Sequence, residues 1–199
     1  KRRPRIDWTH TALVQGNAVR DYTKWDYQPH TIDGVPESFA RAYGVMMTEP
    51  QGPVYMCYDA WLQEQPLDHE VPLPPPSAMP VPSPLAPDPA ALARAADLLV
   101  KAKRPVIMAE YLGRDPRGFH ALVELAETLG APVYDINSRL NFPGCHPLNL
   151  SMVKDVFRDA DLILCLDVRD WEKPTTELVS TTRTVDSIVP EDCVWIDIG

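Results

Sequence analysis

The chain has 199 residues, of which 45% are apolar, a composition that is typical of a folded protein and excludes global disorder. Its formal net charge of −9 argues against a nucleic-acid partner, because phosphate neutralisation requires clustered Lys and Arg side chains. No run of about 18 apolar residues occurs, so we predict neither a transmembrane helix nor a membrane partner.

The first residues are polar, and their basic cluster of Lys1, Arg2, Arg3 and Arg5 is interpreted as a solvated segment. This segment lacks the apolar core of a signal peptide. The sequence also begins without an initiating Met and within a pattern of elements that is already under way, so we expect it to be a piece of a longer chain.

The first half of the sequence predicts the tail of an α/β domain. A short helix is predicted near residues 11–22, and apolar residues at helical spacing predict a second helix over 35–48. A short apolar strand is predicted over 53–58. Ten of the 22 prolines then fall within 66–89, which favours an extended and exposed spacer over regular secondary structure.

The second half of the sequence predicts a separate domain. Asp88 followed by Pro89 marks a helix start, with Asp as the N-cap and Pro at the first helical position. Strands are predicted over 105–109, 131–134, 161–166 and 193–198, all of them buried, and helices over 89–103, 116–129 and 151–158. Residues 175–191 are predicted to be irregular.

This alternation of strands and helices predicts the fold class and the domain organisation. Alternating elements favour an α/β fold with a doubly wound parallel sheet, which is a Rossmann-like central domain. The truncated tail of another α/β domain precedes it. We therefore assign residues 1–65 to the first domain, 66–89 to a proline-rich linker and 90–199 to the central domain, which we expect to be truncated at its end.

None of the four cysteines has the spacing of a metal or redox motif. Cys57, Cys165 and Cys193 lie in or beside apolar strand-like runs, where cysteine behaves as a small buried hydrophobic residue. We therefore predict reduced cysteines and a cytoplasmic protein.

Signatures of catalysis are absent from the sequence. It contains no Gly-x-Ser-x-Gly nucleophile elbow and no pair of His residues at zinc-protease spacing. Gly113 and Gly118 have the spacing of a phosphate loop, but Phe119 and His120 stand where the loop requires Lys and Ser or Thr. We therefore assign no catalytic residue and no metal ligand.

Candidate cofactor-binding residues lie where the predicted strands end, because ligands of doubly wound sheets bind at the carboxyl ends of the strands. The candidates are Gly113, Arg114, His146, Asp167 and Arg169. The structural alternatives are a connecting loop for Gly113, a surface ion pair for Asp167 and Arg169, and a structural contact for His146. Glu110 adds a negative charge to this crevice and opposes a phosphate.

Two groups of short motifs follow one another along the chain. The first group comprises Thr23–Tyr27, Val35–Glu37, Ala40–Ala42 and Gln51–Tyr55, and the second comprises Ala102–Ile107, Ala131–Val133, His146–Leu148 and Asp159–Leu164. Their order and spacing resemble the thiamine-diphosphate enzymes of the acetolactate synthase, benzoylformate decarboxylase and oxalyl-CoA decarboxylase group. The first group is similar to the end of the pyrimidine-binding domain and the second to the central domain.

The resemblance implies a parent enzyme with three domains. In that family the activating glutamate would lie upstream of residue 1, and the Gly-Asp-Gly…Asn motif for Mg²⁺ and the diphosphate would lie beyond residue 199. The motifs that bind thiamine diphosphate and Mg²⁺ would thus be absent from this chain, and we expect the chain alone to be inactive.

The resemblance also implies an activity and an assembly. The parent would be a lyase or transferase that decarboxylates or carboligates 2-oxo acids, with the cofactor as the electron sink. It would be a homodimer or homotetramer, since the family's active sites form between subunits. Lys24 matches a family position near the substrate channel, although an exposed Lys packed on Trp25 is the structural alternative.

The central domain departs from the flavin-binding branch of this family. Ala109, Glu110 and Tyr111 stand in place of a Gly-rich turn, and Asp167 stands where Gly is common. These differences argue against FAD or ADP and favour a vestigial or empty site.

Two alternatives from other classes remain at the level of sequence. The first is a Rossmann-like module that binds NAD, FAD or ADP. The second is a scaffold without catalysis, in which Pro72–Pro76 docks an SH3-like groove. A plain linker role is the structural alternative for the same prolines.

Overall fold

The structure is a computed structural model that describes residue 12 and residues 14–79 and 81–199. The basic cluster of residues 1–5 and the first part of the helix predicted near 11–22 lie outside the described residues. The chain divides into two compact units between Ala86 and Pro87. None of the described helices has both the length and the apolar character that a membrane-spanning segment requires.

The first unit is built on a small parallel sheet. Its elements are α1 Gly16–Val19, a 3-10 turn Arg20–Tyr22, β1 Trp25–Tyr27, α2 Gly34–Met47, β2 Val54–Met56 and α3 Ala60–Glu64. Strand β1 pairs in parallel with β2, with Trp25 opposite Val54. The predicted helix over 35–48 and strand over 53–58 are confirmed as α2 and β2. Strand β1 and helix α3 were not predicted.

The proline-rich segment that follows contains one regular element among its described residues, a 3-10 turn at Pro76–Ala78. Most of the segment is exposed. This is the extended backbone that proline favours, since proline cannot donate to a hydrogen-bond ladder.

The second unit is built on a parallel sheet. Its elements are α4 Pro89–Lys101, β3 Pro105–Ala109, a 3-10 turn Leu112–Arg114, α5 Pro116–Leu129, β4 Val133–Asp135, a 3-10 turn Lys154–Phe157, β5 Leu162–Leu166, α6 Glu172–Thr175, β6 Thr176–Val179, β7 Thr184–Ser187 and β8 Val194–Ile198. Four of these strands form the sheet, in the order β4-β3-β5-β8. The predicted doubly wound α/β fold is confirmed.

Helix boundaries in this unit follow from capping residues. The Asp88 side chain accepts a hydrogen bond from Ala90 N at 3.0 Å and begins α4. Asp115 caps α5 in the same way, and Gly130 ends α5 in the left-handed conformation at φ 61°. Glycine adopts that conformation without strain, so α5 has the bounds that its sequence predicts.

Side chains of the two central strands alternate between two hydrophobic clusters, one on each face of the sheet. Ile107, Leu162 and Leu164 belong to the cluster that packs against Leu122 and Ala126 of α5. The opposite cluster contains Val106, Met108, Phe157, Ile163, Cys165, Ile188 and Cys193. Burial on both faces explains why β3 and β5 read as continuous apolar runs.

Three predictions for this unit are wrong. The helix over 151–158 is only the short 3-10 turn, because the preceding residues bond to β4 through the Val133–Asn149 bridge. Residues 175–191 are not irregular: β6 and β7 form an antiparallel hairpin. Strand β8 is not buried, since it pairs with β5 on one side only among the described strands and exposes 40% of Trp195.

Candidate functional site

The candidate site is the crevice at the carboxyl ends of β3 and β5. The chain leaves β3 for β4 on one side of the sheet and then crosses to β5 on the other, so the strand order reverses here. Backbone hydrogen bonds continue past the strands: Glu110 N donates to Leu166 O at 3.3 Å and Tyr111 N to Asp167 O at 3.1 Å. The loops that follow β3 and β5 are therefore joined at the bottom of the crevice.

A buried carboxylate occupies this crevice. Glu110 is only 7% exposed. Its Oε2 accepts a hydrogen bond from Arg169 N at 2.6 Å, and its Oε1 accepts one from the Ser138 hydroxyl at 3.1 Å. The side chain thus connects the loop after β3 to the loops after β5 and β4.

A second buried polar group lies beside the first. Asn141 is fully buried, and its Nδ2 donates to Glu110 O at 2.9 Å and to Asp135 Oδ1 at 2.7 Å. Its Oδ1 accepts from Gly113 N at 2.8 Å. Asp135, at the end of β4, also accepts from Asn137 N at 2.7 Å. Side-chain hydrogen bonds therefore fix the loops after β3 and β4 to each other.

Three of the predicted site residues, Arg114, Asp167 and Arg169, lie together at this crevice. Asp167 adopts the left-handed conformation at φ 52°, and its Oδ2 lies 3.0 Å from Arg114 Nε. That oxygen is buried and accepts no hydrogen bond from the described residues, so the contact is an ion pair without hydrogen-bond geometry. The Arg169 guanidinium lies 4.2 Å from the centroid of the Tyr111 ring, within cation–π range.

Gly113, another predicted site residue, is required by packing. A Cβ atom at this position would lie 2.1 Å from the carbonyl oxygen of Leu140. Together with the bond from its N–H to Asn141, this contact gives Gly113 a structural role in joining the 3-10 turn to the loop after β4.

His146 lies elsewhere in the unit. Its Nδ1 accepts a hydrogen bond from Leu148 N at 3.2 Å, so Nε2 carries the proton and faces Glu127 Oε1 at 3.3 Å. The ring also packs edge-on against Phe142, with 4.8 Å between the centroids. Since Glu127 belongs to the last turn of α5, at the amino ends of the strands, the structure does not bring His146 to the crevice.

The side chain of Lys24, in the first unit, contacts the C-terminal end of α2. Its Nζ donates to Thr48 O at 2.5 Å, directly after α2, and its backbone N–H donates to Pro53 O. An ammonium group at a helix C-terminus donates to a free carbonyl oxygen and interacts favourably with the negative end of the helix dipole. The structure thus gives this side chain a capping contact, and its assignment to a substrate channel remains a prediction.

All four cysteines are free thiols, and the two buried ones are poor nucleophiles. Burial, followed by the nearby Asp197, raises the pKa of Cys165 to about 12, and burial also raises the pKa of Cys193. A thiol is a nucleophile only as its thiolate, so neither residue is suited to covalent catalysis near neutral pH. The predicted burial of Cys165 and Cys193 is confirmed, whereas Cys57 is partly exposed.

A shallow cavity of about 320 Å³ opens at the opposite end of the strands, near their amino ends. Its lining comes from Ala102, Lys103, Arg104, Pro105, Val106, Leu129, Gly130, Pro132, Val156 and Asp159. Within the described part of the chain, no group of three or more His, Cys, Asp and Glu side chains is arranged to hold a metal ion. The described residues therefore provide no cluster for Mg²⁺.

The fold and the crevice define a doubly wound α/β domain of the Rossmann-like class. Residues 92–198, more than half of the chain, match the family model of the central domain of thiamine pyrophosphate enzymes. The chain therefore belongs to the thiamine pyrophosphate enzyme family, as the order of its motifs indicates.

Among the solved structures that share the fold are the following two. A candidate thiamin diphosphate-dependent enzyme isolated from Mycobacterium smegmatis has a TM-score of 0.68 and 23% identity, over 99% of this chain and 38% of that one. Benzoylformate decarboxylase from Polynucleobacter necessarius has a TM-score of 0.70 and 22% identity, over 99% of this chain and 37% of that one. The chain thus spans less than two fifths of each.

The crevice does not fit the dinucleotide that many Rossmann-like domains hold there. A bound phosphate requires free backbone N–H groups at the switch point. Here Arg169 N already donates to Glu110, while Glu110 N donates to the last residue of β5 and Tyr111 N to the residue after it. The carboxylate of Glu110 would also repel a phosphate in that position.

Sequence reasoning identified Glu110 only as a source of repulsion and did not include Asp135, Ser138 or Asn141. Asp135 carries the same signal as Asp167, since each directly follows a strand predicted from the sequence, over 131–134 and 161–166 respectively. Asn141 carries no such signal, because its partner Gly113 lies 28 residues earlier in the chain. Only the topology of the sheet brings these two loops together.

Proposed function

We propose that this chain forms part of a thiamine-diphosphate-dependent enzyme that acts on 2-oxo acids, either as a decarboxylating lyase or as a carboligating transferase. The observation that carries the proposal is the match of residues 92–198 to the central domain of the family. When bound with Mg²⁺, thiamine diphosphate supplies the electron sink for the carbanion left by decarboxylation. The described residues contribute none of that chemistry directly.

In this proposal the second unit has a structural role. Its sheet is covered on both faces by hydrophobic clusters, and internal hydrogen bonds occupy the crevice where a ligand would bind. These contacts also disfavour the alternative of a module that binds NAD, FAD or ADP. Catalytic groups would then come from other parts of the enzyme.

The proposed assembly is a homodimer or homotetramer, by analogy with the family, in which active sites form between subunits. A cytoplasmic location is part of the same proposal and is supported by the free thiols at Cys57, Cys145, Cys165 and Cys193.

The activity is tested with the enzyme at its natural length. Pyruvate, 2-oxobutanoate and benzoylformate are supplied one at a time, and release of carbon dioxide is measured with and without thiamine diphosphate and Mg²⁺. We expect cofactor-dependent release from at least one of these acids. Folded protein that releases none in the presence of cofactor would contradict the assignment to 2-oxo acids.

A further inference from the structure

We propose that Glu110 is an internal ligand of the central crevice: its carboxylate occupies the position of an anionic group of a cofactor and closes the unit to phosphate-containing ligands. This inference goes beyond the proposed function, because it concerns a site that the chemistry on 2-oxo acids does not use. The chemical class that fits the slot is a small carboxylate.

The first support is the position of the carboxylate. It lies at the switch point between β3 and β5, where the loops of a doubly wound sheet diverge and backbone N–H groups point toward a ligand. In this chain the Arg169 N–H points at Glu110 Oε2 over 2.6 Å. This is the short distance of a charge-assisted hydrogen bond.

The second support is the completeness of the contacts. Oε1 is bonded to the Ser138 hydroxyl from the loop after β4, so both carboxylate oxygens have a donor. Glu110 is 7% exposed. A buried carboxylate is tolerated only when it is hydrogen-bonded, and here the donors come from the two loops that would otherwise surround a ligand.

The third support concerns the cationic side chains around the crevice. The Arg169 and Arg139 guanidinium groups lie 4.2 and 5.7 Å from the Tyr111 ring centroid, and Arg114 pairs with Asp167. These contacts turn the positive groups toward an aromatic ring and a carboxylate of the chain itself. These cationic side chains are therefore held by contacts within the chain.

Removal of the internal ligand provides the test. Glu110→Ala removes the carboxylate but leaves the donors of Arg169 and Ser138, so formate should fill the slot. We expect the variant to melt below the wild type, and sodium formate to raise its melting temperature more than sodium chloride does at the same ionic strength. Glu124→Ala, on the exposed face of α5, is the control and should show no such difference. Equal formate effects in the two variants would overturn the proposal.

A second variant covers the case in which Glu110→Ala does not fold. Glu110→Gln keeps the shape of the side chain and removes its charge, so the hydrogen bond from Arg169 N weakens. We expect an upfield shift of the Arg169 amide proton in the NMR spectrum, with no shift in Glu124→Gln. An unchanged Arg169 amide in Glu110→Gln would overturn the proposal.

The wild-type chain gives an independent measurement. Titration with ADP, FAD or inorganic phosphate should leave the Arg169 and Tyr111 amide signals in place, because the slot is filled. Saturable shifts of these two signals with any of the three would show that the crevice accepts phosphate and would overturn the proposal.

Discussion

Individual buried polar residues determine how the loops at the crevice are held. Asn141 is fully buried, and its side chain bonds to Gly113 N, Glu110 O and Asp135 Oδ1. One amide thus satisfies backbone groups of one loop and a carboxylate of another. A buried polar group that loses its partner costs more free energy than the bond itself contributes, so such residues are sensitive to substitution.

Asn141→Ala is the most direct test of that network. The substitution removes the acceptor of Gly113 N and the donor to both Glu110 O and Asp135 Oδ1, so we expect a loss of about 3 kcal/mol in the free energy of unfolding. Urea denaturation measures the change. Asn17→Ala, at an exposed position of α1, is the matched control and should change stability by no more than about 0.5 kcal/mol. Equal effects would contradict the role given to Asn141.

Asp115 provides a prediction on pH. The hydrogen bond from the Arg117 side chain, and then that from its backbone N–H, lowers the pKa of Asp115 from 3.8 to about 2. A pKa lowered by folding stabilises the folded state above the unfolded value, and this contribution is lost as the pH falls through the folded value. We therefore expect Asp115→Ala to melt below the wild type at pH 7, with a difference that shrinks between pH 4 and about pH 2.

Asp115→Ser separates capping from charge in this experiment. Serine also accepts a hydrogen bond at a helix N-cap but does not titrate. The melting-temperature difference between Asp115→Ser and Asp115→Ala should therefore stay nearly constant over the same pH range. If this Ser–Ala difference instead shrank at low pH, as the difference between wild type and Asp115→Ala is expected to do, the role given to the titration of Asp115 would be contradicted.

Elements with a strong local signal were predictable from the sequence. Helix α5 begins after its Asp115 cap and ends at Gly130, and β3 and β5 are continuous apolar runs. Strand β1 was not predictable, because its three residues show no periodicity. The β6–β7 hairpin turns at Arg183, which adopts φ 55° without the glycine that usually marks such turns.

The contact between the 3-10 turn Leu112–Arg114 and the loop after β4 is tested by Gly113→Ala. The added Cβ would lie 2.1 Å from Leu140 O, so one of the two segments must move. We expect a loss of about 2 kcal/mol in urea denaturation. Gly144→Ala is the matched control, since its Cβ meets no atom within 4 Å, and it should be close to neutral. A neutral Gly113→Ala would show that the two segments do not pack as described.

The candidate site was predictable only in part. The rule that ligands bind at the carboxyl ends of strands locates the crevice from the order of the elements. The partner of Glu110 was not predictable, because Arg169 N lies 59 residues away and donates through the backbone. His146 was placed with the crevice because its loop follows β4, but that loop returns to the amino ends of the strands, where His146 faces Glu127.

At the scale of the whole molecule, the chain comprises two compact units divided near Pro87. The second matches the central domain of thiamine pyrophosphate enzymes, and the two solved structures described above are more than twice as long as this chain. The central proposal is that the chain serves as a structural part of such an enzyme, while other parts of the enzyme bind the cofactor.

Isothermal titration with thiamine diphosphate and Mg²⁺ tests this claim most directly, with the enzyme at its natural length beside the 199-residue chain. We expect saturable heat at micromolar cofactor for the enzyme and none for the chain, because the proposal assigns cofactor binding to other parts of the enzyme. Circular dichroism confirms that both samples are folded. Absence of heat from folded enzyme, or saturable binding by the chain alone, would contradict the account.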